Sequence, residues 1–393
     1  MSYGEQLQRK QERIEALLGR FAPVRPIIGM DVPLRFHCKA EAAFGYAGGK
    51  LISGKYRAFS RTIVPGITCP LEHPAASAII ADFTALARDF SLAAYDEKSG
   101  KGFLRHVMVR VSRMSGEALV VPVCSHDRFP GRKAFCAKLT RMHPEIRGIV
   151  LNVNAKRTSM VLGEGERLLW GEARLEESLL GRRFLLSARS FFQVNPEQTE
   201  ILYAEALALA GLTGSEIVLD AYCGTGTIGI CASRNSRFVI GAELNPDAVR
   251  DAIANARLND AHNCRFYCAD AARFASGRHP DRPAGRSLKN EAASRPLPLN
   301  CSEDPLFWQD DMVPDVVFTD PPRSGCSPRF LDALARMRPG RIVYVSCDPE
   351  SLARDVGILS RHGYRAAEFR PVDMFPHTEH VETVSLLSHP KDV

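Results

Sequence analysis

The first 185 residues combine helical and strand-like patterns of apolar positions. Leu7, Ile14 and Leu18 recur at helical spacing among charged residues near the start of the chain. Alternating runs follow at "PLRFHCKAEAAF", "LRHVMVRVSR", "ALVVPVC", "IRGIVLNVN" and "TSMVLG", and the helical pattern "HPAASAIIADFTALARDF" interrupts them. Strand runs with separate helices are typical of α+β domains, so we predict an α+β domain over residues 1–185 that opens with a helix.

The remaining residues, 186–393, alternate strand-like and helical segments. Apolar runs predict strands at 216–220, 237–243, 264–269, 314–320, 341–346, 364–370 and 381–387. Such alternation predicts a mostly parallel sheet with right-handed crossovers, and therefore an α/β domain. Residues 275–311 break the rhythm with proline, serine and charge, which indicates a flexible surface insertion.

Composition limits the cellular context. The chain of 393 residues is 45% apolar and 24% charged, which is ordinary for a soluble protein of two or three domains. It contains no apolar run of about 18 residues and no apolar signal core, so we predict a cytoplasmic protein without a membrane segment. Its eleven cysteines are odd in number and scattered, which argues against a disulfide framework.

A basic and aromatic segment lies near the start of the first domain. Residues 32–64 hold six Lys/Arg against one acid, and interleaved with them are Phe36, Phe44, Tyr46, Tyr56 and Phe59. Cations that neutralise phosphates and rings that stack on bases together form a single-stranded RNA surface. A solvated sheet face with its aromatic rings in the core explains the same pattern, so both interpretations stay open from this segment alone.

A glycine-rich loop follows the first strand of the second domain. The segment "VLDAYCGTGTIGI" holds Gly224, Gly226 and Gly229 in G-x-G-x-x-G order before a predicted helix, and glycines there allow a tight turn and close approach to a ligand. Glu243 ends the next strand, where a carboxylate can bind both hydroxyls of a ribose. The pattern alone fits a dinucleotide enzyme as well as an S-adenosylmethionine enzyme.

Two acids near this loop favour S-adenosylmethionine. Asp220, in D-x-x-C-G-x-G, opens the loop as an acid usually does in enzymes that bind this cofactor. Asp270 lies just after the third strand of the domain, where methyltransferases often hold the adenine. A capping role in a loop explains Asp270 equally well.

Further polar groups follow the later strands at the same predicted edge. "VVFTDPPRSG" brings Asp320 and Arg323, "YVSCDP" brings Cys347, and "DMFPHTEHVE" brings Glu382. Ligands of open α/β sheets bind outside the carboxyl ends of the strands, so we expect these groups to meet the cofactor loop. Free cysteine is often a buried packing residue, but a purely structural thiol has no reason to share this edge.

A thiol beside a methyl donor suggests chemistry at carbon 5 of uracil, which is not nucleophilic by itself. If a thiolate adds to carbon 6, the resulting enolate attacks the methyl sulfonium through carbon 5, and a base then removes the proton from carbon 5. Cys347, Glu382 and either Asp320 or Gln193 are available as nucleophile, base and pyrimidine-positioning group. Arg323 stands where the D-P-P-Y motif has an aromatic residue, which argues against methylation of an amino group.

These motifs resemble the RNA (uracil-5)-methyltransferases that act on 23S ribosomal RNA and on tRNA. The resemblance covers nearly the whole chain through "SFFQVN", "LDAYCGTGTIGI", "DPPRSG", "VYVSCDPESLARD" and "VDMFPHTEHVE". It implies a class I S-adenosylmethionine-dependent methyltransferase fold, Rossmann-like with a mostly parallel seven-stranded sheet, preceded by an α+β RNA-binding domain. It also implies that Cys347 is the nucleophile and Glu382 the general base. The residues then expected around S-adenosyl-L-methionine and uracil are Gln193, Tyr222, Thr227, Glu243, Asp270 and Asp320, although family members often have Asn at the position of Thr227.

The resemblance favours the ribosomal branch, because Glu382 lies in H-V-E and follows "DMFPHT". Many ribosomal members carry an N-terminal oligonucleotide-binding barrel, which we do not expect here. Many also bind a four-iron, four-sulfur cluster through three closely spaced cysteines and a fourth one. No cysteine precedes Cys38, and Cys69 alone resembles a ligand. We therefore predict no iron-sulfur cluster and no other metal, and a structural or vestigial role for Cys69.

Three functions remain open from the sequence. The first is methylation of uridine carbon 5 in RNA through Cys347, with 23S rRNA as the expected target, tRNA uridine 54 as the alternative and a monomer as the expected state. In the second, S-adenosylmethionine methylates another atom and Cys347 is structural. In the third, the protein binds RNA during ribosome assembly without catalysis.

Overall fold

The chain divides into two compact units. The computed structural model describes residues 1–66, 69–158, 160–276 and 313–389. Unit 1 comprises Met1–Val32, Leu179–Phe184 and Glu197–Val393, and unit 2 comprises Pro33–Ser178 and Leu185–Pro196. The predicted boundary at residue 185 differs from this division, since residues 1–32 and 179–184 group with the second half and residues 186–196 with the first. The predicted insertion at 275–311 lies outside the described residues except for its first two.

The first helix explains why the start of the chain belongs to unit 1. Helix α1 (Tyr3–Leu18) begins after Ser2, whose side chain accepts the backbone N–H of Glu5 in a capping box. Ile14 and Leu18 are fully buried in the same apolar core as the strands of unit 1. The predicted helix is confirmed, and its apolar stripe is the surface by which it packs.

Unit 2 is built on a mixed seven-stranded sheet. Its strands are β1 (Lys39–Ala47), β2 (Lys50–Tyr56), β3 (Ile63–Pro65), β4 (Leu104–Val111), β5 (Ala118–Cys124), β6 (Ile146–Val153) and β7 (Gly165–Gly171). They lie in the order β3-β2-β1-β4-β5-β6-β7, in which β5 and β6 are parallel and the other neighbours antiparallel. Helices α2 (Pro74–Asp89) and α3 (Arg132–Met142) pack on this sheet through Phe83 and Phe135, whose ring centroids are 4.9 Å apart.

One predicted strand of unit 2 is wrong. The described residues of 158–163 form a loop, and the strand starts only at Gly165. The Asn154 amide donates hydrogen bonds to the carbonyls of Met160 (2.8 Å) and Val161 (3.0 Å), and these bonds hold the loop. Side-chain amides that bond to nearby backbone compete with a strand ladder in this way. The other strands and the helix predicted in this half are confirmed.

Unit 1 is an α/β unit with a second seven-stranded sheet. A two-stranded sheet of β8 (Leu175–Leu179) and β9 (Arg182–Leu186) and the helix α4 (Pro196–Ala210) precede it in the chain. Its strands are β10 (Ile217–Ala221), β11 (Phe238–Glu243), β12 (Cys264–Cys268), β13 (Val316–Thr319), β14 (Arg341–Ser346), β15 (Arg365–Val372) and β16 (Glu382–Ser388). Its helices are α5 (Thr227–Ala232), α6 (Pro246–Leu258), α7 (Ala271–Ala275), α8 (Pro328–Met337) and α9 (Pro349–Arg361).

The topology of this sheet confirms the predicted mostly parallel arrangement. The strand order is β12-β11-β10-β13-β14-β16-β15, with β16 antiparallel to both of its neighbours and the remaining pairs parallel. The chain order reverses beside β10, so a ligand site is expected at the carboxyl ends of the central strands. None of the described helices has the length and apolar character needed to cross a membrane.

Candidate active site

A glycine-rich loop lies at the carboxyl end of β10. Asp220 is 1% exposed, and its Oδ2 accepts the backbone N–H of Gly229 at 2.8 Å, which ties the first turn of α5 to the strand. Gly224 and Gly226 adopt φ angles of +52° and +81°, which glycine tolerates best. A Cβ atom built at Gly224 would meet no other atom within 4 Å. The loop therefore leaves open space beside its backbone, as a cofactor cradle requires.

Glu243 faces this loop from the end of β11. Its Oε2 accepts the Gly224 N–H at 3.1 Å, and its Oε1 accepts the Asn245 N–H at 2.8 Å. Glu243, the acid predicted to bind the ribose, is thus held at the glycine-rich loop.

Two aromatic residues flank the loop. Tyr222 has a φ angle of +64°, and its ring packs edge-on against Phe330 with centroids 5.4 Å apart. The Thr227 hydroxyl lies 3.5 Å from the hydroxyl of Tyr203, a buried residue of α4. Burial raises the pKa of Tyr203, and the charge of Asp320 raises it further, so this hydroxyl lies near the acids of the site. The sequence did not single out Tyr203, because an aromatic residue in an apolar helix resembles any core residue.

The two other predicted cofactor residues have different surroundings. Asp270 is exposed at the start of α7, and its Oδ1 accepts the Arg273 N–H at 2.9 Å, so the structure gives it the capping role. Gln193 is half-buried and belongs to unit 2, in the segment Leu185–Pro196.

Strand pairing brings the thiol and the predicted base together. Ser346, the last residue of β14, pairs with Thr383 of the antiparallel strand β16. Cys347 directly follows Ser346 and Glu382 directly precedes Thr383, so both residues flank this pair, and the charge of Glu382 acts on the thiol. Cys347 is half-buried, whereas Glu382 is 2% exposed, and its Oε2 has no hydrogen-bond partner among the described residues.

Burial perturbs the acids of this edge. Burial raises the pKa of Glu382 to about 8, with a further contribution from the charge of Asp320. Burial likewise raises the pKa values of Asp320 and Asp220 to about 7. The pKa of Cys347 rises to about 11 through burial and through the charges of Glu382 and Asp320. Arg323 opposes these effects at both Cys347 and Glu382, so its guanidinium acts on the nucleophile and base positions alike.

The neighbouring thiol, Cys326, has a different environment. It is 2% exposed, and its backbone N–H donates to Asp355 Oδ2 at 2.7 Å. The Tyr344 hydroxyl donates to the same carboxylate oxygen at 2.7 Å. Cys326 is therefore part of a buried structural network.

No group of three or more His, Cys, Asp or Glu side chains suited to a metal ion occurs within residues 1–66, 69–158, 160–276 and 313–389. Cys69 is half-buried with a free thiol. The absence of an iron-sulfur cluster stays a prediction from the sequence.

Comparison with known proteins identifies the family. The profile of the tRNA (Uracil-5-)-methyltransferase family matches residues 306–390. An uncharacterized RNA methyltransferase of Halalkalibacterium halodurans is 38% identical over 392 residues, which cover 98% of this chain and 79% of that protein. A similar protein from Clostridium acetobutylicum, also named an uncharacterized RNA methyltransferase, is 37% identical over 98% of this chain and 79% of its own length.

The chain belongs to the RNA (uracil-5)-methyltransferase family. A solved structure supports this assignment: the tRNA (uracil-54, C5)-methyltransferase of Pyrococcus abyssi in complex with S-adenosyl-L-homocysteine. It matches with a TM-score of 0.76 and 27% identity, over 98% of this chain and 84% of that one. The fold is therefore that of a class I S-adenosylmethionine-dependent methyltransferase with an additional N-terminal unit.

The protein is an RNA (uracil-5)-methyltransferase whose cofactor is S-adenosyl-L-methionine. The residues present fit this cofactor, because the loop at Gly224 has open space beside it and the unpartnered Glu382 oxygen lies at the same sheet edge. The family assignment favours the first of the three functions left open by the sequence.

Proposed function

We propose that this enzyme methylates carbon 5 of a uridine through a covalent bond between Cys347 and carbon 6. The pairing of Ser346 with Thr383 carries the proposal, because it brings the half-buried Cys347 thiol and the buried Glu382 carboxyl group next to the same paired position. Both groups also lie at the sheet edge that holds the cofactor loop. An enzyme with a merely structural Cys347 would have no use for this arrangement.

The chain supplies a nucleophile and a base. The Cys347 thiolate forms a bond to carbon 6, and the electrons of the carbon 5–carbon 6 double bond move into an enolate. The cofactor supplies the methyl group that carbon 5 accepts. Glu382 then takes the proton from carbon 5, the carbon–sulfur bond breaks, and the double bond forms again. A base whose pKa is about 8 is well matched to a reaction near neutral pH.

The remaining predicted residues are proposed to hold the cofactor and the uracil. Asp220 fixes the loop, and Glu243 presents a carboxylate to the ribose. The other positions proposed for these contacts are Gln193, Tyr222, Thr227, Asp270 and Asp320. Asp270 is the least direct of these, because one of its oxygens already caps a helix.

We propose that unit 2 binds the RNA through its β2–β3 hairpin. The backbone N–H of Arg57 donates to the Thr62 carbonyl at 2.9 Å and closes a turn that leaves Phe59 fully exposed with a φ of +56°. Arg57, two residues before this ring, is exposed and forms no ion pair with any described residue. Lys50 is exposed too, but it lies at the other end of β2, beside the turn to β1. A free ring beside an unpaired cation matches the needs of single-stranded RNA, in which bases stack and phosphates are neutralised. The alternative, with aromatic rings in the core, holds for Phe44 but not for Phe59.

The proposed target is a uridine of 23S rRNA, which would be modified in the cytoplasm by a monomer during rRNA processing. The sequence around Glu382 favours this branch of the family. A tRNA target, uridine 54, is the second candidate, because the similar Pyrococcus abyssi enzyme acts on that position. Mapping 5-methyluridine in the RNA of a deletion strain distinguishes the two: loss from 23S rRNA supports the proposal, and loss from tRNA alone selects the second candidate.

Two cysteine variants test the mechanism. Cys347→Ala should lower turnover by about 10⁴-fold or more, because it removes the nucleophile that activates the uracil ring. Cys326→Ala is the matched control, since it removes a thiol from the neighbouring buried network, and it should keep most of the activity. A Cys347→Ala enzyme with wild-type turnover would eliminate the covalent mechanism.

A further inference from the structure

The proposed base follows directly on a loop. Residues 373–381 connect β15 to β16, and Glu382 is the first residue of β16, where it pairs with Val372 at the end of β15. The Glu382 side chain is buried, and its Oε2 has no hydrogen-bond partner among the described residues. The position of this oxygen therefore depends on the backbone that precedes it.

Helix α1 holds the start of this loop through a buried ion pair. The Lys10 ammonium lies 2.6 Å from Asp373 Oδ1, and the two side chains are 6% and 0% exposed. The same ammonium donates to the Phe375 carbonyl at 3.1 Å. The Tyr3 hydroxyl donates to the other oxygen of Asp373 at 2.8 Å. Both carboxylate oxygens and a loop carbonyl are thus bound by a single helix.

The same helix reaches further along the loop. The Gln6 amide oxygen accepts the backbone N–H of His377 at 3.0 Å, where the backbone has a φ of +63°. The Arg13 guanidinium donates to the Glu379 carbonyl at 3.2 Å and to Glu350 at 2.6 Å. Glu350 lies in α9, three residues after Cys347. Helix α1 therefore contacts both the loop before the base and the helix after the nucleophile.

The sequence of α1 is organised for this contact. Tyr3, Gln6, Lys10 and Arg13 are spaced by three, four and three residues, which places them on one face of the helix. Lys10 lies one turn before the buried Ile14, so the ion pair belongs to the buried side of the helix. A buried ion pair is a poor way to gain stability, because an apolar pair of the same size does as well or better. The Lys10–Asp373 pair is therefore better explained by the position in which it holds the 373–381 loop.

We propose that α1 is a positioning clamp, in which Lys10 and Asp373 fix the 373–381 loop so that Glu382 is aligned with carbon 5 of the uracil. This inference rests on the proposed role of Glu382 as the base. Lys10 and Asp373 are positioning residues, since neither is required to touch the substrate. Without the clamp, the Cys347 adduct forms and is methylated, but proton removal from carbon 5 is slow.

Lys10→Met tests the clamp by removing the ammonium while keeping the length of the side chain. Mixed with the cofactor and unmodified transcripts of 23S rRNA and tRNA, this variant should accumulate the covalent protein–RNA adduct. Its turnover should fall between about 10- and 100-fold, as expected for a small misplacement of a reacting group. Arg25→Gln is the control, because it removes the ion pair of Arg25 with Glu368 from the same N-terminal segment without touching the loop. It should behave as the wild type does.

A double variant separates positioning from stability. Lys10→Met leaves the buried Asp373 carboxylate without its cation, which destabilises the protein by itself. Lys10→Met/Asp373→Leu removes both charges, so the Tm should recover while the adduct continues to accumulate. Recovery of both Tm and turnover in the double variant would overturn the proposal, and so would wild-type adduct levels in Lys10→Met. Glu382→Gln in the same assay distinguishes the failures: if it forms no adduct, the proposed function fails, and if it alone forms one, only the clamp fails.

Discussion

The carboxyl edge of the unit 1 sheet and the β2–β3 hairpin of unit 2 depart from ordinary burial in opposite directions. Glu382 is a carboxyl group with 2% exposure and an unpartnered oxygen among the described residues, whereas Phe59 is an aromatic ring that is fully exposed. Buried unpaired acids and exposed rings are both unfavourable for a folded chain alone. Each feature is explained by a ligand that binds there: a reacting pyrimidine at the sheet edge, and a stacked base at the hairpin.

The two regions also differ in charge. The sheet edge collects Asp220, Glu243, Asp320 and Glu382 around a thiol, with Arg323 opposing their effect on Cys347. The turn of the hairpin presents Arg57 and Arg61 to solvent, and Lys50 is exposed at the other end of β2. The chemical step thus depends on a few groups whose pKa values are strongly shifted. Binding of RNA depends instead on exposed cations and an exposed aromatic ring. Substitutions in the first region should change the chemical step, and those in the second should change RNA binding.

After the loss of the nucleophile, the largest effect is expected at Glu382, the proposed base. Glu382→Gln should reduce turnover by roughly 10²- to 10⁴-fold, because an amide cannot accept the proton from carbon 5. The covalent protein–RNA adduct should persist and be visible as a shifted band in a denaturing gel. Glu379→Gln, which changes an exposed acid three residues earlier, is the control and should release its product normally. Rapid turnover by Glu382→Gln would remove Glu382 from the role of base.

The pH profile should follow the buried acid. Because the pKa of Glu382 is raised to about 8 and that of Cys347 to about 11, kcat/KM should fall as the pH is lowered from 9 to 6, by about tenfold per pH unit for each of the two ionisations that controls the rate. Steady-state kinetics between pH 6 and 9 would measure this limb. A profile that is flat down to about pH 5 would indicate that neither group has a raised pKa.

A smaller effect is expected at the hairpin. Phe59→Ala should weaken RNA binding by roughly 1–3 kcal/mol, the typical contribution of one stacked base, and leave kcat unchanged at saturating RNA. Leu168→Ala is a suitable control, because Leu168 is 47% exposed on β7 at the opposite edge of the same sheet. If both variants bind RNA as the wild type does, the hairpin is not the docking surface.

The last effect concerns stability rather than activity. The folded protein holds a proton on Glu382 up to about pH 8, whereas the unfolded chain loses it near the ordinary value of 4.5. Raising the pH through this window therefore destabilises the wild type at this site. Relative to the wild type, Glu382→Gln should gain up to roughly 1.4 kcal/mol of unfolding free energy per pH unit between these values. Urea unfolding at pH 5.5 and 7.5 would measure the difference, and a relative loss of stability at pH 7.5 would contradict the raised pKa.

The sequence predicted most of unit 1 because its signals are local. Apolar runs located β10 to β16, and the residues after them located the acids and the thiol at one edge, since parallel strands end on the same side. The partnership of Cys347 with Glu382 was expected from chemistry, but their proximity depends on the register of the antiparallel strand β16. No local pattern specifies that register.

Long-range contacts account for what the sequence did not predict. Lys10 and Asp373 are separated by 363 residues, so no spacing rule links them. The grouping of residues 1–32 with unit 1 was missed for the same reason, because an amphipathic helix does not specify which core it covers. The loop at 158–163 was taken for a strand because its apolar residues were visible in sequence, while the Asn154 hydrogen bonds that form the loop were not.

The proposed mechanism requires a covalent bond between Cys347 and the target uridine. A substrate that stays trapped in this bond tests the requirement most directly. RNA transcribed with 5-fluorouridine carries fluorine where the base must remove a proton, so the carbon–sulfur bond cannot be broken by the normal route. Incubation with the enzyme and S-adenosyl-L-methionine, followed by nuclease digestion and peptide mass spectrometry, should locate a methylated fluorouridine on the peptide that contains Cys347. If the enzyme methylates unmodified RNA but forms no adduct on Cys347 with the fluorinated RNA, the covalent mechanism is wrong.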